Sequence, residues 1–280
     1  MTTPKNNMAQ EKRFEFGANW ARFLSVLNEG RIQMAEESLK RMLDVNSLAA
    51  KSFLDIGSGS GLFSLAARRL GAKVHSFDYD PQSVACTMEL KGQYFRDDAD
   101  WTVEEGSALD TDYLKRLGQF DVVYSWGVLH HTGAMKLALE NVASMVREGG
   151  ALFIAIYNDQ GWISQYWTLV KRSYNRNRLY RFVLILLHSP YLWFGRYFVR
   201  ALTGRLSLDR GMSLRHDMLD WLGGYPFEYA KPEEIFDFFR SRGFRLDRLK
   251  TCRNRHGCNE FVFTNAGKGE LKAGAAAQYA

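Results

Sequence analysis

The sequence predicts an α/β domain in which a mostly parallel β-sheet carries helices on its faces. Between Lys51 and Tyr157, short apolar runs alternate with helical stretches, and a second region of the same kind begins at Lys231. Strands that alternate with helices form βαβ units, whose strands are parallel. A chain of 280 residues is long enough for one large domain of this class, with room for a subdomain.

The predicted elements follow one another in a regular order. Strands are predicted in the first region at residues 53–56, 74–77, 101–105, 120–126 and 151–157. Helices are predicted between them at residues 62–70, 81–91 and 134–147. In the second region a helix begins at Pro232, carries two glutamates in its first turn and ends at Gly243. Two further strands are predicted after it, at residues 245–250 and 260–264.

The two ends of the chain lack this pattern. Residues 1–13 are polar, and residues 267–280 are rich in glycine and alanine. Both compositions predict disordered ends around a single domain of residues 14–266.

A long insertion separates the two regions. Residues 162–222 fit no βα rhythm, so we predict a helical insertion after the fifth strand. Its apolar run at 182–199 is interrupted by His188, Pro190 and Arg196, and is therefore too broken for a transmembrane helix. Two helices bent at Ser189–Pro190 are predicted instead, because the residue before a proline disfavours the helical conformation.

The net charge of +6 is unevenly distributed. Residues 171–215 contain ten Lys/Arg and one acid, Asp209, so this block carries +9 and the rest of the chain sums to −3. Such a block is typical of a surface that meets phosphates, nucleic acid or anionic lipid. A solvated helical face is an equally good interpretation of the same charges.

Cysteine usage and the N-terminal residues predict a cytoplasmic protein. The three cysteines contain no C-x-x-C pair, so no disulfide framework is expected. Cys252, His256 and Cys258 have no second pair of ligands at a usual spacing, so no metal site is predicted. The first residues are polar and lack the apolar stretch of a secretory signal. Peripheral contact with the inner membrane face, through residues 171–215, is left open.

The strongest functional signal is a glycine-rich loop between the first strand and the first helix. The strand ends at Asp55, and glycines follow at positions 57, 59 and 61. Glycine allows a tight turn that lies close to a ligand. Asp78 ends the next strand, 21 residues after Gly57, where a carboxylate can accept both hydroxyls of a ribose. This arrangement predicts a Rossmann-like nucleotide site.

Two details favour S-adenosylmethionine (SAM) over a nicotinamide dinucleotide. A dinucleotide site usually has the spacing G-x-G-x-x-G, with the helix N-terminus facing a pyrophosphate, whereas the spacing here is G-x-G-x-G. Asp55 precedes the first glycine by two residues. Because SAM carries no phosphate and has a cationic methionine end, an acid at this point has a partner.

The segment 53–81 resembles motif I of the class I SAM-dependent methyltransferases. Three further motifs agree with this family in order and spacing, at residues 106–110, 120–131 and 147–158. The resemblance covers residues 50–160 well and is closest to the broad group that includes the ubiquinone-biosynthesis O-methyltransferases. It implies a seven-stranded sheet with an antiparallel last strand and SAM at the carboxyl ends of the first strands.

The loop and the resemblance together define the candidate cofactor site. The resemblance places the adenine beside Ser107 and Ala108 and the methionine part at the end of the fourth strand. Trp20 lies in an aromatic segment that either covers SAM or packs onto the core. The candidate cofactor residues are Trp20, Asp55, Gly57, Gly59, Gly61, Asp78, Tyr79, Ser107, Ala108, Ser125 and Trp126.

The candidate catalytic residues are histidines. Methyl transfer from a sulfonium is an in-line displacement that needs aligned reactants and little acid–base help, although an acceptor hydroxyl must lose a proton. His130 and His131 end the fourth strand, and His216 lies in a dense polar segment of the insertion. Each either acts as a base or shapes its loop. The candidate acceptor residues are Tyr157, Asn158, Asp217 and Trp221.

The composition of the insertion does not identify the acceptor. It mixes aromatic residues with arginines, which suits a lid over a small molecule and equally a surface for a lipid-linked acceptor. No recognised RNA-binding motif is present, so a nucleic acid acceptor ranks third. A glycan, free or carried on a lipid, is an alternative acceptor. Oxygen as the methylated atom is implied by the resemblance. A nicotinamide-dependent oxidoreductase and a non-catalytic SAM-binding scaffold are the alternatives of other classes. The sequence predicts no oligomeric state.

Overall fold

A computed structural model describes residue 20 and residues 23–189, 222–253 and 257–267. They form a seven-stranded sheet in the order β3-β2-β1-β4-β5-β7-β6. The strands are β1 (Ser52–Ile56), β2 (Lys73–Asp78), β3 (Trp101–Glu105), β4 (Phe120–Trp126), β5 (Val146–Tyr157), β6 (Phe244–Lys250) and β7 (Cys258–Asn265). The first five are parallel, and β7 is antiparallel to both β5 and β6. The predicted sheet is therefore confirmed.

Helices cover both faces of the sheet. They are α1 (Glu29–Leu43), α2 (Leu62–Arg69), α3 (Pro81–Tyr94), α4 (Thr111–Leu117), α5 (Met135–Ser144), α6 (Trp162–Arg176), α7 (Arg178–Ser189) and α8 (Pro232–Arg240). Side chains alternate across each strand, so Phe53 of β1 packs with α1 and α2, while Leu54 packs with α5 and α8. The result is a three-layer α/β/α core.

Two helices and one strand boundary differ from the sequence prediction. Helices α1 and α4 were not predicted. The buried residues of α1 include Ile32, Leu39 and Met42, and their spacing marks one helical face. Strand β5 begins at Val146 rather than at residue 151. Its pairing with β4 is interrupted between Phe120 and Val122, so the glycine pair at 149–150 forms an irregularity within the strand and not a turn before it.

The insertion begins as a helical hairpin. Helices α6 and α7 are separated by the extended residue Asn177, and the Tyr166 hydroxyl lies 2.7 Å from Nε2 of His188, which ties the two helices together. Helix α7 ends at Ser189, beside the bend predicted at Ser189–Pro190, and residues 190–221 lie outside the described part. No helix among the described residues is long and apolar enough to cross a membrane.

The chain leaves and re-enters the sheet region at one point. Asn158 forms an isolated parallel bridge with Ala230, the amide of Ala230 donates to the Tyr157 carbonyl at 3.0 Å, and the amide of Asp159 donates to the Ala230 carbonyl at 3.1 Å. The two ends of the insertion are thus hydrogen-bonded to each other. The predicted disordered segment 1–13 and residues 268–280 lie outside the described residues, as do His216, Asp217 and Trp221.

Candidate active site

The glycine loop between β1 and α2 folds back onto the end of β2. The amides of Gly57 and Ser58 both donate to the Phe77 carbonyl, at 2.8 and 3.1 Å. The amide of Gly59, the second glycine of the loop, donates to Oδ2 of Asp78 at 2.9 Å. The loop amides therefore have acceptors within the protein.

Side chains from two distant segments lie against this loop. Gly57 has a φ of +77°, and a Cβ added there would overlap the side chain of Val128, which follows β4. Gly59 has a φ of +56°, and a Cβ there would lie 2.9 Å from the indole of Trp20. Glycine is needed at both positions for its conformation and for the close approach of its neighbours.

Asp55 lies beneath the loop at the end of a buried hydrogen-bond chain. Nε1 of Trp101 donates to Oγ of Ser76 at 2.9 Å, and that hydroxyl donates to Oγ of Ser64 at 2.8 Å. Ser64 in turn donates to Oδ2 of Asp55 at 2.5 Å. Burial raises the pKa of Asp55 to about 7; hydrogen bonds from the Ser64 side chain and backbone oppose this shift, and the nearby charge of Asp78 adds to it.

Asp78 joins the loop to the start of α3. Its Oδ1 accepts from the amide of Asp80 at 2.9 Å, while its Oδ2 holds Gly59. Burial raises the pKa of Asp78, although the hydrogen bonds from Asp80 and Gly59 oppose the rise. Two carboxyl groups, those of Asp55 and Asp78, therefore meet at the glycine loop.

This donor set fits a cationic ligand better than a pyrophosphate. A pyrophosphate needs backbone amides that point toward it at a helix N-terminus. Here the amides of Gly57, Ser58 and Gly59 are already used, and the first turn of α2 presents Ser64 to a carboxyl group. SAM has a sulfonium, an ammonium and a ribose but no phosphate, so the chemistry of this loop suits it.

Other predicted cofactor residues surround the same edge of the sheet. Oγ of Ser125 donates to the Ile56 carbonyl at 3.0 Å, which ties the end of β4 to the end of β1. Ala108 is held by Asn141, whose Nδ2 donates to its carbonyl at 2.8 Å, and Ser107 accepts from the Leu109 amide at 3.2 Å. Tyr79, Trp126 and Gly61 lie at the ends of β2, β4 and the loop, and Tyr79 is largely exposed.

The two adjacent histidines form a short 3₁₀ turn after β4, with opposite hydrogen-bonding roles. His130 is fully buried, and its Nδ1 accepts from the Tyr157 amide at 3.3 Å. Its proton then lies on Nε2, which is buried. Nδ1 of His131 donates to the Pro226 carbonyl at 2.6 Å, which leaves the lone pair on Nε2.

Both imidazoles are neutral at physiological pH. Burial lowers the pKa of His131 to about 3, although the hydrogen bond to Pro226 opposes the shift. The pKa of His130 is also well below its ordinary value, first because of burial and then because of the charges of His131 and Lys171. Groups with such a low pKa orient a nucleophile better than they remove its proton.

The segment that returns from the insertion holds the histidine turn in place. The amide of Glu228 donates to the His130 carbonyl at 2.9 Å, and the Glu228 carboxylate accepts from the Met135 amide at 3.0 and 3.1 Å. Burial raises the pKa of Glu228, and the hydrogen bonds from the amides of Met135 and Gly133 oppose the rise. Glu228 is not predictable from the sequence, because its partners lie more than 90 residues away.

The side chains of the neighbouring residues Tyr157 and Asn158 contact different parts of the protein. The Tyr157 ring lies 4.0 Å from the His130 ring and 4.9 Å from the Phe227 ring, measured between centroids, so it belongs to the histidine cluster. The Asn158 side chain accepts from Nδ2 of Asn259 at 2.9 Å and therefore braces the start of β7. Lys171 of α6 is buried beside the cluster, with Nζ 4.7 Å from the Phe227 ring centroid.

A β3-β2-β1-β4-β5-β7-β6 sheet with an acidic glycine loop is typical of SAM-dependent methyltransferase domains. The chain belongs to this class by direct comparison as well: it is a member of the methyltransferase domain family, whose model matches residues 27–245. The resemblance predicted from motif I is confirmed.

Curated relatives match part of the chain. The ubiquinone biosynthesis O-methyltransferases of Escherichia coli and Shigella boydii are 32% identical over 116 residues, which is 41% of this chain and 46% of theirs. The chain thus spans about half the length of the curated relatives it matches.

Solved structures show the same fold at low identity. The magnesium protoporphyrin IX methyltransferase of Synechocystis, with bound SAH, has a TM-score of 0.53 at 13% identity, over 88% of this chain and 94% of that one. An O-methyltransferase family protein from Burkholderia thailandensis has a TM-score of 0.56 at 13% identity, over 93% of this chain and 66% of that one. The predicted fold class is confirmed.

The glycine loop predicts a specific steric penalty. Gly57→Ala should lower the free energy of unfolding by about 2–4 kcal/mol, because the new Cβ meets Val128 at a positive φ. Gly149→Ala is the matched control, since Gly149 has a φ of +74° with open space around it. Chemical denaturation of both variants measures the difference. Equal losses of stability in the two variants would contradict the close packing of Val128 on the loop.

The buried carboxyl group predicts a pH-dependent stability. Because the folded-state pKa of Asp55 is about 7 against an ordinary 3.8, its stabilising contribution is fully present below about pH 3.8 and is lost as pH rises from there through about 7. The free energy of unfolding of Asp55→Asn relative to that of the wild type should therefore rise by about 1–3 kcal/mol between about pH 5 and about pH 8. Denaturation of the cofactor-free protein at both pH values tests this. The same difference between the two proteins at both pH values would contradict it.

Proposed function

We propose that this chain transfers the methyl group of SAM to an oxygen atom of a small-molecule or lipid-linked acceptor. The observation that carries the proposal is the position of the acidic glycine loop beside the histidine turn, with Val128 in contact with Gly57 and directly before Leu129–His131. Oxygen as the acceptor atom is supported by the names of the curated relatives. When bound, SAM supplies an electrophilic methyl group on a good leaving group.

The carboxyl groups have different proposed roles. Asp55, ionised when a cation binds beside it, would favour the positive methionine end, because its raised pKa falls again near a positive charge. Asp78 ends β2, where a carboxylate accepts hydrogen bonds from ribose hydroxyls. Trp20 lies against Gly59 and would exclude water from that side of the loop.

The remaining cofactor residues would line the rest of the ligand. Ser107 and Ala108 sit in the loop after β3, on the proposed adenine side, with Tyr79 at the end of β2. Ser125 and Trp126 end β4, on the proposed methionine side. Gly61 completes the loop and would lie close to Thr87 of α3 if it carried a Cβ. These assignments rest on position at one edge of the sheet.

The histidine turn would orient the acceptor. The imidazole of His131, whose Nδ1 is held by the Pro226 carbonyl, would contact the acceptor hydroxyl, and the fully buried His130 would hold the turn in place. With a pKa of about 3 for His131, full proton removal before methyl transfer is costly. The site therefore suits an acidic hydroxyl, such as a phenol, whose oxygen would take the methyl group as the methyl–sulfur bond breaks and whose proton would pass to solvent water.

The acceptor pocket would be completed by the insertion. Tyr157 and Phe227 face the histidine cluster, and Lys171 adds a buried cation. His216, Asp217 and Trp221 stay proposed acceptor-side residues. The position of the insertion next to the histidine turn supports its proposed role as a lid.

The cofactor assignment predicts selective binding. In isothermal titration, SAM should bind with about micromolar affinity and NADH should not bind, because the loop amides are already occupied. Asp78→Ala should weaken SAM by about 1–3 kcal/mol through lost ribose hydrogen bonds. Glu105→Ala, an exposed carboxylate at the end of β3, is the matched control. A folded Asp78→Ala protein with unchanged SAM affinity would contradict the site, and tight NADH binding would favour an oxidoreductase.

If His131 orients the acceptor, its replacement should slow methyl transfer without changing the affinity for SAM. His131→Asn keeps a donor for the Pro226 carbonyl but removes Nε2, so methyl transfer should slow by about 10- to 100-fold while SAM affinity changes less than about twofold. Transfer from labelled SAM into lipid extracts and small phenols measures the rate. If the wild type and the variant both bind SAM but neither transfers the labelled methyl group to any acceptor, the chain would be a non-catalytic SAM-binding scaffold.

A further inference from the structure

The helical hairpin of α6 and α7 has an unusual charge. Residues 162–189 contain four arginines and one lysine and no Asp or Glu. Lys171 points into the protein, whereas Arg172, Arg176, Arg178 and Arg181 are exposed. Every charged side chain of the hairpin is therefore positive.

One side of the hairpin packs against the rest of the protein. Trp167, Val170 and Tyr174 of α6 pack with Leu222 and Phe227, which belong to the return from the insertion. On α7, the partly buried pair Leu184 and Ile185 packs against the same cluster. The inner side of α7 is thus accounted for by contacts within the chain.

The opposite side of α7 is apolar and exposed. Its large side chains recur three and four residues apart and form one continuous stripe, which we call the outer stripe: Leu179, Phe182, Val183, Leu186 and Leu187. Each is between 48% and 71% exposed. A helix that is apolar on all sides is normally buried, and soluble proteins rarely expose a patch of this extent.

Aromatic and basic residues accompany the outer stripe. Trp162 of α6 and Tyr180 of α7 are exposed, and the exposed Arg178 directly precedes Leu179 of the stripe, whereas Arg181 lies over the Tyr174 ring of α6. Apolar side chains in the middle, with aromatic and basic residues at the border, are typical of helices that lie in a membrane interface. Helix α7 has 12 residues and is about 18 Å long, so it can lie on a bilayer and cannot cross it.

We propose that the outer stripe of α7 inserts into the surface of an anionic lipid membrane, with the hairpin arginines on the lipid headgroups. Charge complementarity favours lipid over a second copy of this chain, because two copies would bring two hairpins of like charge together. It also favours lipid over the residues that follow. A segment that covered the stripe would need a polar outer face, whereas residues 190–208 contain five aromatic residues, three arginines and no acid.

This surface is independent of the methyl-transfer chemistry. The hairpin follows β5 and packs on Phe227, whose ring lies 4.9 Å from that of Tyr157 in the histidine cluster. Docking through the outer stripe would therefore place the hairpin between the bilayer and the histidine cluster.

Vesicle flotation of the full chain tests the proposal. The protein should float with vesicles of phosphatidylcholine and phosphatidylglycerol, much less with phosphatidylcholine alone, and less at high salt because headgroup attraction is screened. The double variant Phe182→Ser/Leu186→Ser should bind the anionic vesicles about 10- to 100-fold more weakly, because two exposed apolar side chains are lost from the lipid contact. Its fold should be unchanged, since both side chains are solvent-exposed.

A matched control keeps the test specific. Met88→Ser/Leu137→Ser removes two exposed apolar side chains from α3 and α5 and should float like the wild type. SAM affinity, measured on all three proteins, should not change, so failure of lipid binding is distinguishable from failure of the cofactor site. Equal flotation of the two double variants would overturn the proposal. So would a dimer in analytical ultracentrifugation that dissociates only in Phe182→Ser/Leu186→Ser, because the stripe would then bind a second copy.

Discussion

The buried carboxyl group of Asp55 is the constraint on which the cofactor edge depends. A carboxyl group in this position is costly unless it is hydrogen-bonded, and its support comes from Ser64 on α2, which is itself held by Ser76 on β2 and Trp101 on β3. One hydrogen-bond chain therefore links three strands and a helix. It fixes the start of α2 relative to the glycine loop before any ligand binds.

The acceptor side is organised differently. Its histidine turn is held by a segment distant in sequence, through the Pro226 carbonyl and through Glu228, and not by the sheet alone. The glycine loop is thus built from the parallel sheet and its first helices, whereas the histidine turn is built where the segment that returns from the insertion meets the sheet.

The sequence predicted the parts of the molecule that local patterns encode. Strand and helix periodicity predicted most of the sheet, and the glycine spacing predicted the loop that follows Asp55 and contacts Asp78. The serine and tryptophan partners of Asp55 were not predictable, because they meet only through strand pairing. For the same reason the sequence left open which histidine nitrogen carries the proton, since that depends on Pro226 and on the Tyr157 amide.

The bridge between Asn158 and Ala230 makes the insertion a closed excursion from the fold. Because its two ends are already joined, residues between them can lengthen, shorten or change composition at little cost in loop-closure entropy to the sheet. In evolutionary terms the insertion can be exchanged as a unit. A lineage could exchange it for another while β5, α8 and β7 kept their register, and so acquire a new acceptor without rebuilding the domain.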